Sequence, residues 1–187
     1  MPVIVSLLRG VNLGGHRKVK MENLRALYES LGFADVRSYI NSGNVLFRTS
    51  GRDLLRLGRR IEDAIENACG FRSDVVLRTP ADLRQVIAMN PFAARPGLDA
   101  SRLAIHFLAT DPGAAARRQV LALETGPEEL HIGGRELYIY YTNGMARPKL
   151  SLAHVEKTLQ TCGTSRNWNT VRKLLEMAEN MESAARQ

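Results

Sequence analysis

Hydrophobic positions along this chain follow two rhythms, short near-continuous apolar runs of strand length and repeats every three or four residues. Val3 to Leu8 is nearly all apolar, which predicts a buried central strand. Met21, Leu24, Leu27 and Leu31 line one face of a helix that ends at Gly32. Two short strands follow, about Asp35 to Ile40 and Val45 to Thr49. They are joined by Asn41-Ser42-Gly43-Asn44, a tight-turn sequence because Gly and Asn tolerate positive φ. Ser50 and Asp53 have capping-box spacing, with Asp in place of Glu or Gln, ahead of a helix whose stripe is Leu54, Leu57, Ile61, Ile65 and Ala68. Ser73 to Arg78 supplies a fourth strand. The order β-α-β-β-α-β is the split unit of a ferredoxin-like sandwich.

Thr79-Pro80-Ala81-Asp82 combines an N-cap residue with Pro at the first helical position, so a connecting helix should run to about Met89. Asn90 to Asp99, with two prolines and a glycine, reads as a linker. From Arg102 the order begins again. A strand at Leu103 to Ala109 precedes a helix after Asp111-Pro112, a strand near Leu130, a turn at Gly133-Gly134, a strand at Glu136 to Thr142, and a helix carrying Leu152, Val155 and Leu159. In place of a clear last strand, Thr164-Ser165-Arg166-Asn167 is expected to open a helix with the stripe Trp168, Val171, Leu175 and Ala178. The expected class is α+β, two ferredoxin-like βαββαβ subdomains in tandem, the second modified at its C-terminal end. The expected boundaries are 1–89, a linker at 90–101, and 102–187.

Composition adds one unusual number. The 187 residues are 44% apolar and 24% charged, ordinary for a globular protein, but the net charge is +7. No apolar run approaches the roughly 18 residues that span a bilayer, and Val3 to Leu8 runs into Arg9 without a preceding cationic region, so a soluble cytoplasmic protein is expected. Cys69 and Cys162 provide neither a disulfide framework nor metal spacing. The charge is concentrated. Residues 1 to 20 carry Arg9, Arg17, Lys18 and Lys20 with no acid, and residues 142 to 173 carry Arg147, Lys149, Lys157, Arg166, Arg172 and Lys173 against Glu156 alone. These blocks sum to +4 and +5, leaving −2 elsewhere, and they hold all five lysines. They are either ordinary solvated surfaces or one basic face assembled by the fold.

Four polar segments can carry chemistry: Arg9 to Lys18, Asn41 to Asn44, Thr142 to Lys149, and Thr164 to Thr170. Gly10 and Gly15 have the spacing that opens a Walker A motif, but His16 and Arg17 stand where Lys and Ser or Thr are required. Gly10, Gly14 and Gly15 also miss the dinucleotide fingerprint. What survives is a glycine-rich loop with cations close behind and a helix N-terminus ahead, which suits an anion as well as it suits a plain connection. Thr164 or Ser165 is read as a helix cap, with Arg166, Asn167 and Asn169 in the first turn, where an arginine opposes the dipole. Trp168, Tyr138 and Tyr140 fit core packing better than base stacking, and Asn143-Gly144 reads as a turn. His16, His106, His131 and His154 are scattered without a metal-binding pattern, so neither metal nor cofactor is expected. Ser42 lies in no nucleophile elbow, and the loops hold almost no carboxylates, which argues against paired-acid and two-metal hydrolysis.

Taken together, Leu7-Leu8-Arg9-Gly10-Val11-Asn12 with Gly14-Gly15, Lys18-Val19-Lys20-Met21, Tyr39-Ile40-Asn41-Ser42-Gly43-Asn44-Val45 and Arg166-Asn167-Trp168-Asn169-Thr170 resemble the bacterial family catalogued as domain of unknown function 1697. The resemblance spans about residues 3 to 180 and implies an α+β fold of two ferredoxin-like subdomains. It implies no activity, so it assigns no catalytic residue.

Two functions are then expected in competition. One is binding of a phosphate-bearing small molecule or nucleic acid by a basic loop face. Arg9, Lys18, Lys20 and Arg166 would contact phosphate; Gly14, Gly15, His16, Ser42 and Asn167 would line the site; Asn12, Asn41, Asn44 and Asn169 would orient it. Recognition would not follow the RNA-recognition motif, since Asn44 and Leu46 stand where its stacking aromatics belong. The other is an enzyme acting on an anionic metabolite in a cleft between the halves, with His16 or Lys18 carrying a proton.

Overall fold

The N-terminal apolar run forms strand β1 (Val3–Leu8), buried along its whole length. It is followed by α1 (Met21–Ser30), β2 (Ala34–Tyr39), β3 (Asn44–Arg48), α2 (Leu54–Cys69) and β4 (Val75–Arg78). The computed structural model describes residues 1–15 and 17–184; His16, one of the candidate residues, lies outside the described residues. The chain divides into two compact units, Met1–Arg84 with Leu174–Gln187, and Gln85–Lys173.

In the first unit the four strands form an antiparallel sheet of order β2-β3-β1-β4, in the register Val5↔Leu46 and Leu8↔Val75. Ile4, Leu8, Val45 and Phe47 on one sheet face meet Leu24 and Tyr28 of α1 and Leu57, Ile61 and Ile65 of α2. Each such side chain contributes roughly 1.5–3 kcal/mol when fully buried. Tyr28 and Phe47 pack edge to face, and Phe47 stacks on Phe33 at 4.4 Å between ring centroids. The Tyr28 hydroxyl shares a 2.8 Å hydrogen bond with Ser6, which satisfies two buried polar groups at once. One expectation is corrected here. Asp53, and not Ser50, caps α2 by accepting from the Arg56 backbone N–H.

Helix α3 (Pro80–Ala88) begins in the first unit and ends in the second. Its start is a reciprocal capping box: the Asp82 N–H donates to Thr79 Oγ1, and Thr79 N–H and hydroxyl both donate to the Asp82 carboxylate. The second unit continues with a 3₁₀ turn (Ala100–Arg102), β5 (Leu103–Leu108), α4 (Gly113–Leu121), β6 (Glu129–Gly133), β7 (Glu136–Tyr140), α5 (Leu152–Leu159) and β8 (Gly163–Asn167). Its sheet is again antiparallel, of order β6-β7-β5-β8. Helix α6 (Trp168–Ala184) then begins in the second unit and ends in the first.

Strand β8 is the principal correction to the sequence reading. Thr164 to Asn167 does not open a helix; it pairs with β5 in the register Phe107↔Thr164 and Ile105↔Arg166. The segment carries no apolar alternation because it is an edge strand, and its inward positions are Thr164 and Arg166, whose polar ends bond locally. Helix α6 starts one residue later, and its buried stripe is Trp168, Val171, Leu174, Ala178 and Met181, with Leu174 in the place expected for Leu175. Among the described residues no helix is long and apolar enough to cross a membrane.

Candidate functional site

The loop after β1 is tied down by one side chain. Asn12, at φ 57°, donates from Nδ2 to Val19 O (2.9 Å) and Asn41 O (2.8 Å) and accepts at Oδ1 from the Val19 N–H (2.9 Å). An amide side chain suits this work, since it offers donors and an acceptor and tolerates the left-handed backbone. Asn12 therefore closes the loop on itself and fastens it to the Asn41 turn. That turn is equally constrained. Gly43 (φ 73°) lies so close to β1 that an added Cβ would stand 2.4 Å from Val11 Cγ2 and 2.7 Å from Leu8 Cβ. The Asn44 side chain is fully buried and donates to Tyr39 O (3.1 Å) and Ser42 Oγ (2.9 Å). Ile40 is at φ 49° and half exposed, a strained conformation for a β-branched residue, held by the bonds on either side.

These ties shape an open concavity of about 1060 Å³ within the first unit. Lys18, Lys20, Met21, Asn23 and Arg25 from the loop and α1 line it, with Asn12, Gly15 and Asn41 at the loop and turn, and Ala68 and Cys69 from the end of α2. Lys18 and Lys20 are exposed and make no ion pair among the described residues. The Arg25 guanidinium is half-buried and anchored on Ser38 Oγ at 2.7 Å. Helix α1 begins here without a side-chain cap, so its first N–H groups carry the positive end of the helix dipole toward this wall. Glu22 is the acid of that first turn. Burial pushes the Cys69 thiol pKa up, away from a reactive thiolate.

Gly15 aside, the remaining candidates lie elsewhere. Arg9 is fixed at the end of β1, where its N–H donates to Asp74 O, its carbonyl accepts from Ser73 Oγ, and its guanidinium stands 3.8 Å from the Asp74 carboxylate. Gly14 and Gly15 are exposed at the loop tip with positive φ and open space around them. In the second unit Arg166 is buried on β8, donating to Thr164 Oγ1 (2.7 Å) and Ser165 O (2.8 Å), and burial pushes its pKa down to about 10. It does not sit in a helical first turn opposing a dipole. Asn167 donates to Ser101 O and accepts from the Asn169 N–H, which makes it the cap of α6, and Asn169 is exposed. Tyr138 is buried with its hydroxyl on Val86 O, and Tyr140 packs against Phe92 and Arg95. These rings are internal.

One constellation was not legible in the sequence. His106 and Ser165 face each other across β5 and β8, with Nδ1 and Oγ 2.8 Å apart, and His106 Nε2 stands 3.2 Å from Glu156 Oε1 without hydrogen-bond alignment. Glu156 also accepts the Gly163 N–H. With His106 only 2% exposed, its ring is enclosed and ties the edge strand to α5. Among the described residues no group of three or more His, Cys, Asp or Glu is arranged to hold a metal ion. Arg25 and Cys69 were likewise missed as wall residues. Arg25 had a weak signal as a polar-face residue just after the loop, whereas Cys69 is brought in only by the packing of α2.

Two α+β units, each with a four-stranded antiparallel sheet, and a basic, loop-walled concavity in the first define the class. The chain belongs to a protein family of unknown function, DUF1697, whose model matches residues 1–138. No curated protein matches it. Among solved structures it is similar to the conserved bacterial protein SP0830 from Streptococcus pneumoniae, at 25% identity and a TM-score of 0.69, covering 95% of this chain and 98% of that one.

Proposed function

We propose that the protein binds a phosphate-bearing ligand, a small molecule or nucleic acid, at the concavity of the first unit. The observation that carries this reading is the convergence of Lys18, Lys20 and Arg25 on one wall with the uncapped start of α1. A phosphate there would accept from backbone N–H groups and from charged donors together, the combination that makes helix N-termini anion sites. Asn23 and Asn41 would orient it, while Asn12, Ser42, Gly43 and Asn44 hold the wall in shape. Arg166 and Asn167 drop out of the phosphate contacts in this reading, since Arg166 donates to Thr164 and Ser165 and Asn167 donates to Ser101 O and accepts from the Asn169 N–H.

An enzyme acting on an anionic metabolite has less support. The concavity is open, and burial pushes the pKa of its Cys69 thiol up, which works against a thiolate nucleophile. Each unit is proposed to be a ferredoxin-like sandwich, supported by the β-α-β-β-α-β order and the matching strand orders β2-β3-β1-β4 and β6-β7-β5-β8. A cytoplasmic setting is proposed with it. Calorimetric titration with pyrophosphate tests the binding reading. Saturable binding that weakens with added salt and is lost in a Lys18→Gln/Lys20→Gln variant is expected, and equal heats from both proteins would reject it.

A further inference from the structure

Helix α2 carries its charges the wrong way round for its own dipole: there is no acid in its first turn and no base in its last. Its N-terminal half has Arg56, Arg59 and Arg60, preceded by Arg52, and its C-terminal half has Glu62, Asp63 and Glu66. The acidic half is engaged within the fold, since Arg72 meets Glu62, Asp63 and Glu66 at 3.0, 3.1 and 2.7 Å. Arg60 is also engaged, donating to Leu31 O at the end of α1 and lying over the Phe33 ring. Arg52, Arg56 and Arg59 are exposed and make no ion pair among the described residues. Arg56 and Arg59 are neighbours one turn apart, with Arg52 just before the cap and Leu55 exposed between them. Helix stability explains none of this, because cations near an N-terminus oppose the dipole.

We infer that Arg52, Arg56 and Arg59 form a second phosphate-contacting surface, and that the ligand of the first unit is the backbone of a double-stranded nucleic acid. This rests on the phosphate reading of the loop concavity. The basic residues here are all arginine, the side chain whose planar fork matches phosphate oxygens in pairs. Arg60 on Leu31 O sets this surface at the end of α1, whereas the concavity runs from the start of α1 to Leu27, beside Cys69. Arg56 and Cys69 stand thirteen positions apart on α2, about 20 Å at 1.5 Å per residue. A single phosphorylated metabolite fills one site only; a duplex, with one charge per roughly 1.7 Å of its axis, reaches both. Single strands are held largely by aromatic stacking, and among the described residues no aromatic side chain lines the concavity. An anionic membrane is a poorer match, because the apolar stripe of α2, Leu57, Ile61 and Ile65, is spent on the core and leaves only Leu55 to insert.

The test is fluorescence anisotropy of labelled 20-base-pair DNA and RNA duplexes against salt, using the full chain and an Arg52→Gln/Arg56→Gln/Arg59→Gln variant. Phosphatidylcholine–phosphatidylserine vesicles and pyrophosphate are titrated in parallel. Three lost phosphate contacts should lower the slope of log affinity against log salt by about 2.7. The full chain should then lose about 40-fold more affinity than the variant between 50 and 200 mM salt. Pyrophosphate affinity should be the same for both proteins. An unchanged slope, absent duplex binding, or an arginine-dependent preference for vesicles overturns the inference while leaving the loop reading standing. Absent pyrophosphate binding by the full chain overturns the loop reading and the two-site span with it.

Discussion

Replacing Gly43 by Ala tests how rigidly the Asn-Ser-Gly-Asn turn is built into the sheet. The new methyl would stand 2.4 Å from Val11 Cγ2 and 2.7 Å from Leu8 Cβ, and the residue would keep a φ of 73° that L side chains resist. The left-handed backbone costs about 1–2 kcal/mol. The overlap costs about 1–3 kcal/mol more, because Leu8 Cβ belongs to a buried central strand and cannot swing aside. Gly14→Ala is the matched control, with φ at 58° and nothing within 4 Å of the new carbon, so it bears the backbone part alone. The expected losses are about 3 kcal/mol for Gly43→Ala and about 1 kcal/mol for Gly14→Ala. Urea denaturation followed by circular dichroism gives the difference. Amide exchange at Leu8, whose N–H donates to Gly43 O at 2.9 Å, reports the same site locally. Equal losses for the two variants, with Leu8 protection unchanged, would refute the packing argument.

Asn12→Ala should lose about 3 kcal/mol of loop stability from three hydrogen bonds at about 1 kcal/mol each, read as faster exchange of the Val19 amide. Asn12→Asp keeps the Val19 N–H acceptor but loses both donations, so it should protect that amide better than Ala does; identical exchange in both would contradict the assigned roles. Gly163→Ala puts a carbon 2.5 Å from Phe107 O and 2.6 Å from His106 Nε2, so β8 should detach with a loss of at least about 2 kcal/mol, and an unchanged denaturation midpoint would show that the edge strand yields freely. Burial raises the phenol of Tyr28 and pushes Tyr138 up to about 12, so unfolded tyrosines ionise near 10 while the folded ones stay neutral. The folded state then holds more protons, and stability should be intact below about pH 10 and fall as pH rises through the folded values. A denaturation midpoint that holds steady to pH 11.5, about the same as at pH 8, would count against this burial.

The elements with strong apolar rhythm were legible in the sequence. Val3–Leu8 reads as a buried strand because both its faces are covered, and the α2 stripe of Leu57, Ile61 and Ile65 reads as a helix because its spacing is regular. Strand β8 was hidden for a physical reason. An edge strand of Gly, Thr, Ser, Arg and Asn pairs through its backbone, which leaves no side-chain rhythm, and Asn167 at its end resembles the interior of a capped helix while being the cap itself. Summing charge over long blocks also concealed the α2 arginines, since Glu62, Asp63 and Glu66 cancel them in the sum but are turned toward Arg72 in the fold. For the site, the loop glycines and lysines were legible, but the division of labour among the asparagines was not. Whether an amide faces a ligand or a carbonyl depends on contacts between residues 7 to 29 positions apart, as for Asn12 with Val19 and Asn41.

The most direct test of the phosphate reading is a ¹⁵N amide spectrum of the full chain titrated with pyrophosphate. Saturable shifts confined to Lys20 through Asn23 and the neighbouring loop, abolished by Lys18→Gln/Lys20→Gln, are the predicted result. Shifts that fail to saturate, or that survive in the double variant, would contradict it.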